Sequence, residues 1–195
     1  MDGMEGAAGK TQNIQNGFLE PEKIVASFKI KKGDHIADFG AGHGYFTIAF
    51  ARTAGGDGKV YAIDIQKDAL EIVRAKASAE HLLNLEYIWA DLDTSGGSYI
   101  KDKFCDFVLI ADILFQAQNR YVVVQEAYRV LAPGGRMAMV EWDSDDGSSK
   151  YQVGPAREVR IKKEDARAAA LQAGFQFMNE FSAGSHHYGL LFIKK

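Results

Sequence analysis

Two hydrophobic periods take turns along this chain. Residues 21–30, PEKIVASFKI, carry apolar side chains at helical spacing behind a proline in the first turn, and Lys31 to Asp34 end that segment. HIADF (35–39) then reads as a short strand and YFTIAFARTA (45–54) as a helix stopped by Gly55 and Gly56. KVYAIDI (59–65) is a β-branched strand and KDALEIVRAKASAEHL (67–82) an amphipathic helix. NLEYIWADLD (84–93) gives a third strand, followed by a loop over 94–103. FCDFVLIAD (104–112) is almost continuously apolar, the pattern of a strand covered on both faces in a parallel sheet. NRYVVVQEAYRVL (119–131) reads as a helix stopped by APGG, and RMAMVEW (136–142) as the fifth strand. After a polar loop over 143–150, KKEDARAAALQA (162–173) forms a last helix ending at Gly174. FQFMNEFSAG and HHYGLLFIKK then read as two strands joined near Gly184 and Ser185, hence antiparallel. Strands and helices that alternate in this way predict an α/β fold, a parallel sheet with helices on both faces.

The stretch DFGAGHGYF places Gly40, Gly42 and Gly44 at alternate positions between the first strand and its helix. Glycine costs backbone entropy, so the cluster implies turns with positive φ or a backbone that touches a ligand. In an open parallel sheet, ligands bind beyond the carboxyl ends of the strands, where this stretch lies. A dinucleotide fingerprint, G-x-G-x-x-G, fits imperfectly, because the third glycine comes one residue early and position 45 is tyrosine. An NAD-dependent oxidoreductase therefore stands as a competing reading.

The pattern D-x-G-x-G-x-G is complete as Asp38, Gly40, Gly42 and Gly44, and it resembles motif I of the class I S-adenosylmethionine-dependent methyltransferases. The resemblance runs from about Phe18 to Lys195, through VYAIDI, WADLD, CDFVLIAD and RVLAPGGRMAMVEW. It implies a Rossmann-like, doubly wound seven-stranded sheet of order 3-2-1-4-5-7-6, mostly parallel with the last strand reversed. It also implies S-adenosylmethionine as cofactor, with S-adenosylhomocysteine as product. The cofactor-binding residues it points to are Asp38, Gly40, Ala41, Gly42, Gly44, Asp64, Ile65, Asp91, Leu92 and Ala111. Asp64 matches the acid that holds the ribose hydroxyls, and one carboxylate has acceptor sites for both. Asp91 matches a carboxylate near the adenine amino group, and the Ala111 carbonyl a partner of the methionine amino group. Asp38 is expected to organise the loop rather than act as a base. Ile65 reads equally as packing or as an apolar wall for adenine.

The acceptor is expected beyond the fourth and fifth strands, near Asp112, Phe115, Glu141 and Trp142, with His186, His187 and Tyr188 opening the last strand. Of these, Asp112, Phe115, Trp142 and His187 are the substrate-side candidates; no catalytic residue is assigned, since a base is needed only where the acceptor loses a proton. Adjacent histidines point to opposite faces of a strand, so they make a poor metal pair, and no metal is expected. Ala111-Asp112-Ile113-Leu114 lacks the proline-containing N/D-P-P-Y/F signature of nucleobase and glutamine amino-methyltransferases. This favours a small-molecule acceptor. The alternatives are an RNA or protein methyltransferase recruited by a partner, and a non-catalytic cofactor-binding protein of the same fold.

Among 195 residues, 26 are acidic and 23 are Lys or Arg, a net charge of -3 that lacks the basic footprint of a dedicated nucleic-acid binder. Arg157, Arg160, Lys162, Lys163 and Arg167 interleave with acids, as on a solvated helix face. The single cysteine, Cys105, reads as a buried structural thiol in a reducing, cytoplasmic setting. No apolar leader and no membrane-spanning run is present in the sequence, so no membrane partner is expected. The Gly-rich polar residues 1–16 are expected to be mobile, with Asn16 to Phe18 as a candidate lid, and residues 17–195 to form one domain. The oligomeric state is left open.

Overall fold

Seven strands join one sheet in the computed structural model, which describes residues 19–144 and 153–195. In chain order the elements are α1 (Pro21–Ser27), β1 (His35–Phe39), α2 (Tyr45–Ala54), β2 (Lys59–Asp64), α3 (Lys67–Ala79), β3 (Leu85–Trp89) and β4 (Cys105–Ala111). They continue with α4 (Arg120–Val130), β5 (Leu131–Trp142), a 3₁₀ turn (Arg157–Val159), α5 (Lys163–Gln172), β6 (Gln176–Ser182) and β7 (His187–Ile193). The sheet order is β3-β2-β1-β4-β5-β7-β6. β1 to β5 pair in parallel, and β7 runs antiparallel to both its neighbours. The expected order and the reversed last strand are both present.

The pleat divides the apolar side chains between two cores. Ile36, Val60, Phe107, Leu109 and Val140 pack on one face against α1, α2 and α3, where Phe28, Phe50, Phe107 and Phe181 form an aromatic group. Ala37, Ile63, Val108, Ile110 and Met139 pack on the other against α4 and α5. A strand apolar at every position thus serves two layers at once. Cys105 is fully buried, and burial pushes its thiol up to about 12.

Three local expectations are corrected. The first helix ends at Ser27 rather than running to residue 30, because Lys29 turns into the left-handed region at φ 53°. Arg136 of β5 donates to the Phe28 and Lys29 carbonyls that this turn frees. The APGG segment does not separate α4 from a strand starting at Arg136; β5 begins at Leu131, which pairs with Cys105 before a bulge. There Gly134 N–H donates to Lys194 O and Lys194 N–H to Gly135 O, so sheet bonds replace a free loop. Finally, Arg160 does not lie on a solvated helix face. It precedes α5, is 5% exposed, and donates to the carbonyls of Pro155, Asp143 and Val153. The expectations for residues 1–16, for Asn16 to Phe18 and for residues 145–150 of the polar loop fall outside the described residues.

Candidate cofactor cleft and active site

A cleft of about 600 Å³ opens beyond the carboxyl ends of β1, β2 and β4, within the size range of small-ligand sites. Its floor is the turn from β1 into α2. Gly40 and Ala41 N–H both donate to Ile63 O at 2.9 Å, which ties the turn to the end of β2. The three glycines there have φ of 76°, 49° and 79°, yet they answer two different needs. A Cβ at Gly40 would lie 2.1 Å from Ile113 Cγ2, and one at Gly44 would lie 2.9 Å from Val73 Cγ2. A Cβ at Gly42 would meet nothing closer than 4.0 Å. Gly42 therefore leaves bare peptide along an open face, while Gly40 and Gly44 let β1 and α2 approach their neighbours.

Asp64 closes β2 with its carboxylate under the turn. Oδ2 accepts from Gly42 N–H and Oδ1 from Gln66 N–H, each at 2.8 Å. The two bonds fix the carboxylate and leave an acceptor site on each oxygen. Asp38 is buried below, and Thr47 Oγ1 donates to it at 2.5 Å. Burial, opposed by that hydrogen bond and helped by the charge of Asp64, pushes Asp38 up to about 7. This suits a group that organises the turn.

The far wall comes from the chain after β3. Asp91 is exposed, and Asp93 accepts from Gln118 and Asn119 N–H at 3.0 Å each, bridging this loop to the start of α4. Trp89 donates its indole N–H to Ile65 O at 2.8 Å, and Ile65 stays 59% exposed at the cleft's edge. At the end of β4, Ala111 lines the cleft and Asp112 follows it with φ 55°. Asp112 N–H donates to Val140 O, and Asp112 Oδ2 lies 3.3 Å from Nε2 of the buried His187. Glu141 is buried beside this pair. Its Oε1 accepts from Ile113 N–H at 3.2 Å and Leu114 N–H at 2.9 Å. Burial pushes Glu141 up to about 8, those backbone bonds oppose the shift, and the charge of Asp112 adds to it.

Of the residues expected to bind cofactor, Asp38, Gly40, Ala41, Gly42, Asp64, Ile65, Asp91, Leu92 and Ala111 line the cleft, and Gly44 does not. Gly44 instead caps α2 against Val73 of α3. On the acceptor side only Asp112 reaches the lining; Phe115, Trp142 and His187 stand outside it. Trp142 is a packing residue, its ring 4.1 Å from that of His187 and against Gly154, where a Cβ would come within 2.6 Å. Among the described residues, His187 meets the cleft lining at Asp112. Ile113, Asp93 and Gln118 also line the cleft, although no motif marks them as site residues. Ile113 lies under Gly40 across the sheet, and nothing local in the sequence links the two.

The family model described as "Methyltransferase domain" matches residues 37–139. A ubiquinone/menaquinone biosynthesis C-methyltransferase, UbiE, of Pseudoalteromonas translucida is 28% identical over 129 residues, 66% of this chain and 50% of that protein. A demethylmenaquinone methyltransferase of Geobacillus is 28% identical over 120 residues, 62% of this chain and 50% of that protein. The chain spans about half the length of the curated relatives it matches. A crystal structure of an S-adenosylmethionine-dependent methyltransferase from Aquifex aeolicus shares the fold at a TM-score of 0.80 and 22% identity, covering 91% of each chain. No helix among the described residues is long and apolar enough to cross a membrane. With the matched segment running from β1 into β5 and the sheet order in agreement, this chain belongs to the class I S-adenosylmethionine-dependent methyltransferases.

Proposed function

We propose that the cleft between the glycine turn and Asp112 holds S-adenosylmethionine and presents its methyl group to a small-molecule acceptor. The observation that carries this is Asp64, fixed by Gly42 and Gln66 with acceptor capacity to spare at the foot of an open cleft. In this reading Asp64 takes the two ribose hydroxyls, the peptide from Gly40 to Gly42 lies along the methionine tail, and the Ala111 carbonyl takes the ammonium. Asp91 meets the adenine amino group, between Ile65 and Leu92 as apolar walls. Asp38 holds the turn from below.

When bound, the cofactor supplies a methyl group already activated on a sulfonium, so the protein's contribution is orientation, worth ~7–11 kcal/mol in well-aligned cases. Ala41, Leu92 and Ala111 are nearly buried and give the cleft an apolar part of its wall.

Five aspartates line the cleft (38, 64, 91, 93 and 112), and no Lys or Arg does among the described residues. Such a field attracts a cation and repels a polyanion. That supports a neutral or cationic small molecule over RNA, as do relatives named for ubiquinone and menaquinone biosynthesis. The buried Cys105 suits a reducing, cytoplasmic setting. The test is calorimetry with S-adenosylhomocysteine and NAD side by side, then transfer of labelled methyl to small aromatic acceptors and to total RNA and protein. The proposal expects S-adenosylhomocysteine binding, no NAD binding, and label in the small molecules. Label only in the macromolecules rejects the small-acceptor reading.

A further inference from the structure

Beyond the cofactor contacts, three titratable side chains from three strand ends converge behind the cleft. Asp112 follows β4, Glu141 ends β5 beside Trp142, and His187 opens β7. The register places Trp142 opposite His187 and Glu141 opposite Tyr188, so the cluster is built by the antiparallel return of β7. Asp112 is the member that lines the cleft. It keeps a left-handed backbone without being glycine, at φ 55°, a conformation that costs energy and persists where the surroundings hold it.

The polar accounting is incomplete in a specific way. Asp112 Oδ1 and Glu141 Oε2 are both buried, and neither has a hydrogen-bond partner among the described residues. Two carboxylates so placed repel if both are ionised, and a proton held on one of them relieves the repulsion. Glu141 is anchored through Oε1 by two backbone N–H groups, so only its other oxygen is left to hold that proton. His187 Nε2 lies 3.3 Å from Asp112 Oδ2, so an imidazole faces the same carboxylate. Arg120 of α4 acts on Glu141 in the opposite sense, but its Nε is committed to Leu114 O at 2.8 Å. Tyr188, next along β7, donates its hydroxyl to Ile161 O at 3.0 Å.

We propose that Asp112, backed by His187 and Glu141, is the proton acceptor of this enzyme, and that its methyl acceptor is a phenol or enol that loses a proton as it is methylated. The inference rests on the reading that the cleft holds the methyl donor. As the acceptor's oxygen or ring carbon bonds to the methyl carbon, the carbon–sulfur bond electrons stay on sulfur, leaving a neutral thioether. The acceptor's O–H or C–H proton passes to the Asp112 carboxylate, whose new charge state His187 and Glu141 accommodate. Asp112 is the group that meets substrate; His187 and Glu141 position it and set its proton affinity. The five-aspartate lining agrees with an acceptor that enters neutral.

The test reads the cluster first without any acceptor. On protein saturated with S-adenosylhomocysteine, the His187 imidazole is titrated by NMR in the wild type, Asp112→Asn and Glu141→Gln. Removing the Asp112 charge lowers the His187 midpoint, whereas Glu141→Gln, a neutral amide in place of a protonated carboxyl, leaves it close to wild type. A midpoint unchanged in Asp112→Asn overturns the proposal. The second arm offers labelled S-adenosylmethionine to phenols, naphthols and 1,3-dicarbonyl compounds, against pyridines and thioethers, which have no proton to lose. Transfer to the first group, falling at least ~100-fold in Asp112→Asn, is expected. Transfer only to the second group, or to none, overturns it. Affinity for S-adenosylhomocysteine separates the two levels: if the wild type does not bind it, the cofactor reading fails; if Asp112→Asn binds as wild type and keeps its rate, only the proton acceptor fails.

Discussion

Asp64 Oδ2 accepts a 2.8 Å hydrogen bond from the backbone N–H of Gly42, joining the end of β2 to the turn that leaves β1. The same carboxylate accepts from Gln66 N–H at the start of α3. One side chain therefore fixes two adjoining connections of the cleft before any ligand arrives, which reduces what binding must order.

Replacing Asp64 removes that fixation and the acceptor capacity together. Asp64→Ala is expected to weaken S-adenosylhomocysteine binding by about 1.5–3 kcal/mol, the range for hydrogen bonds to a charged group. Calorimetry measures it, with circular dichroism to confirm folding. A folded Asp64→Ala with undiminished affinity rejects the ribose role.

The glycines of the turn separate in the same way. Gly40→Ala sets a Cβ against Ile113 and lowers thermal stability, and pairing it with Ile113→Ala recovers part of the loss. Gly44→Ala acts likewise through Val73. Gly42→Val has open space before it; its side chain projects where the ligand passes, so binding falls far more than stability, which loses roughly 1–2 kcal/mol to left-handed strain. Normal S-adenosylhomocysteine affinity in Gly42→Val removes the turn from the cofactor site.

The contrast between those glycines marks what was legible in the sequence. Strand and helix types follow from local periodicity, while Asp38, Asp64 and Asp91 are marked by the resemblance of their short motifs to the methyltransferase family, and all three line the cleft. Gly44 was expected to line the cleft for the same local reason, but its need arises from Val73, 29 positions away along the chain. Ile113 under Gly40 and His187 behind Asp112 are likewise pairings across the sheet, set by strand order and register. Arg160 looked like one more surface cation in a mixed run. Its burial depends on three carbonyls gathered from residues 143–155.

Cys105 provides a check on the core. With the thiol fully buried and pushed up to about 12 by desolvation, it carries almost no thiolate at neutral pH. A thiol reagent at pH 8 is expected to leave it unmodified until denaturant is added. Fast labelling of the native protein contradicts the packing of β4 against β5.

The buried carboxyls give stability a definite pH dependence. Asp38 rises from 3.8 to about 7 and Glu141 from 4.5 to about 8, in both cases chiefly through burial. A carboxyl whose folded value is raised binds its proton more tightly in the native state, so stability falls as pH rises between the unfolded and folded values. Their contribution is complete below about pH 4 and is lost as pH climbs through the 7 to 8 region. Amide replacements cannot ionise and so remove this slope. Glu141→Gln is expected to unfold at similar denaturant concentration to wild type at pH 5 and at higher concentration at pH 8.5, by an amount of order 1 kcal/mol or more. Urea titrations at the two pH values measure the difference. Equal shifts at both pH values show that Glu141 is ionised in the native protein throughout, and the shared-proton arrangement with Asp112 then loses its support.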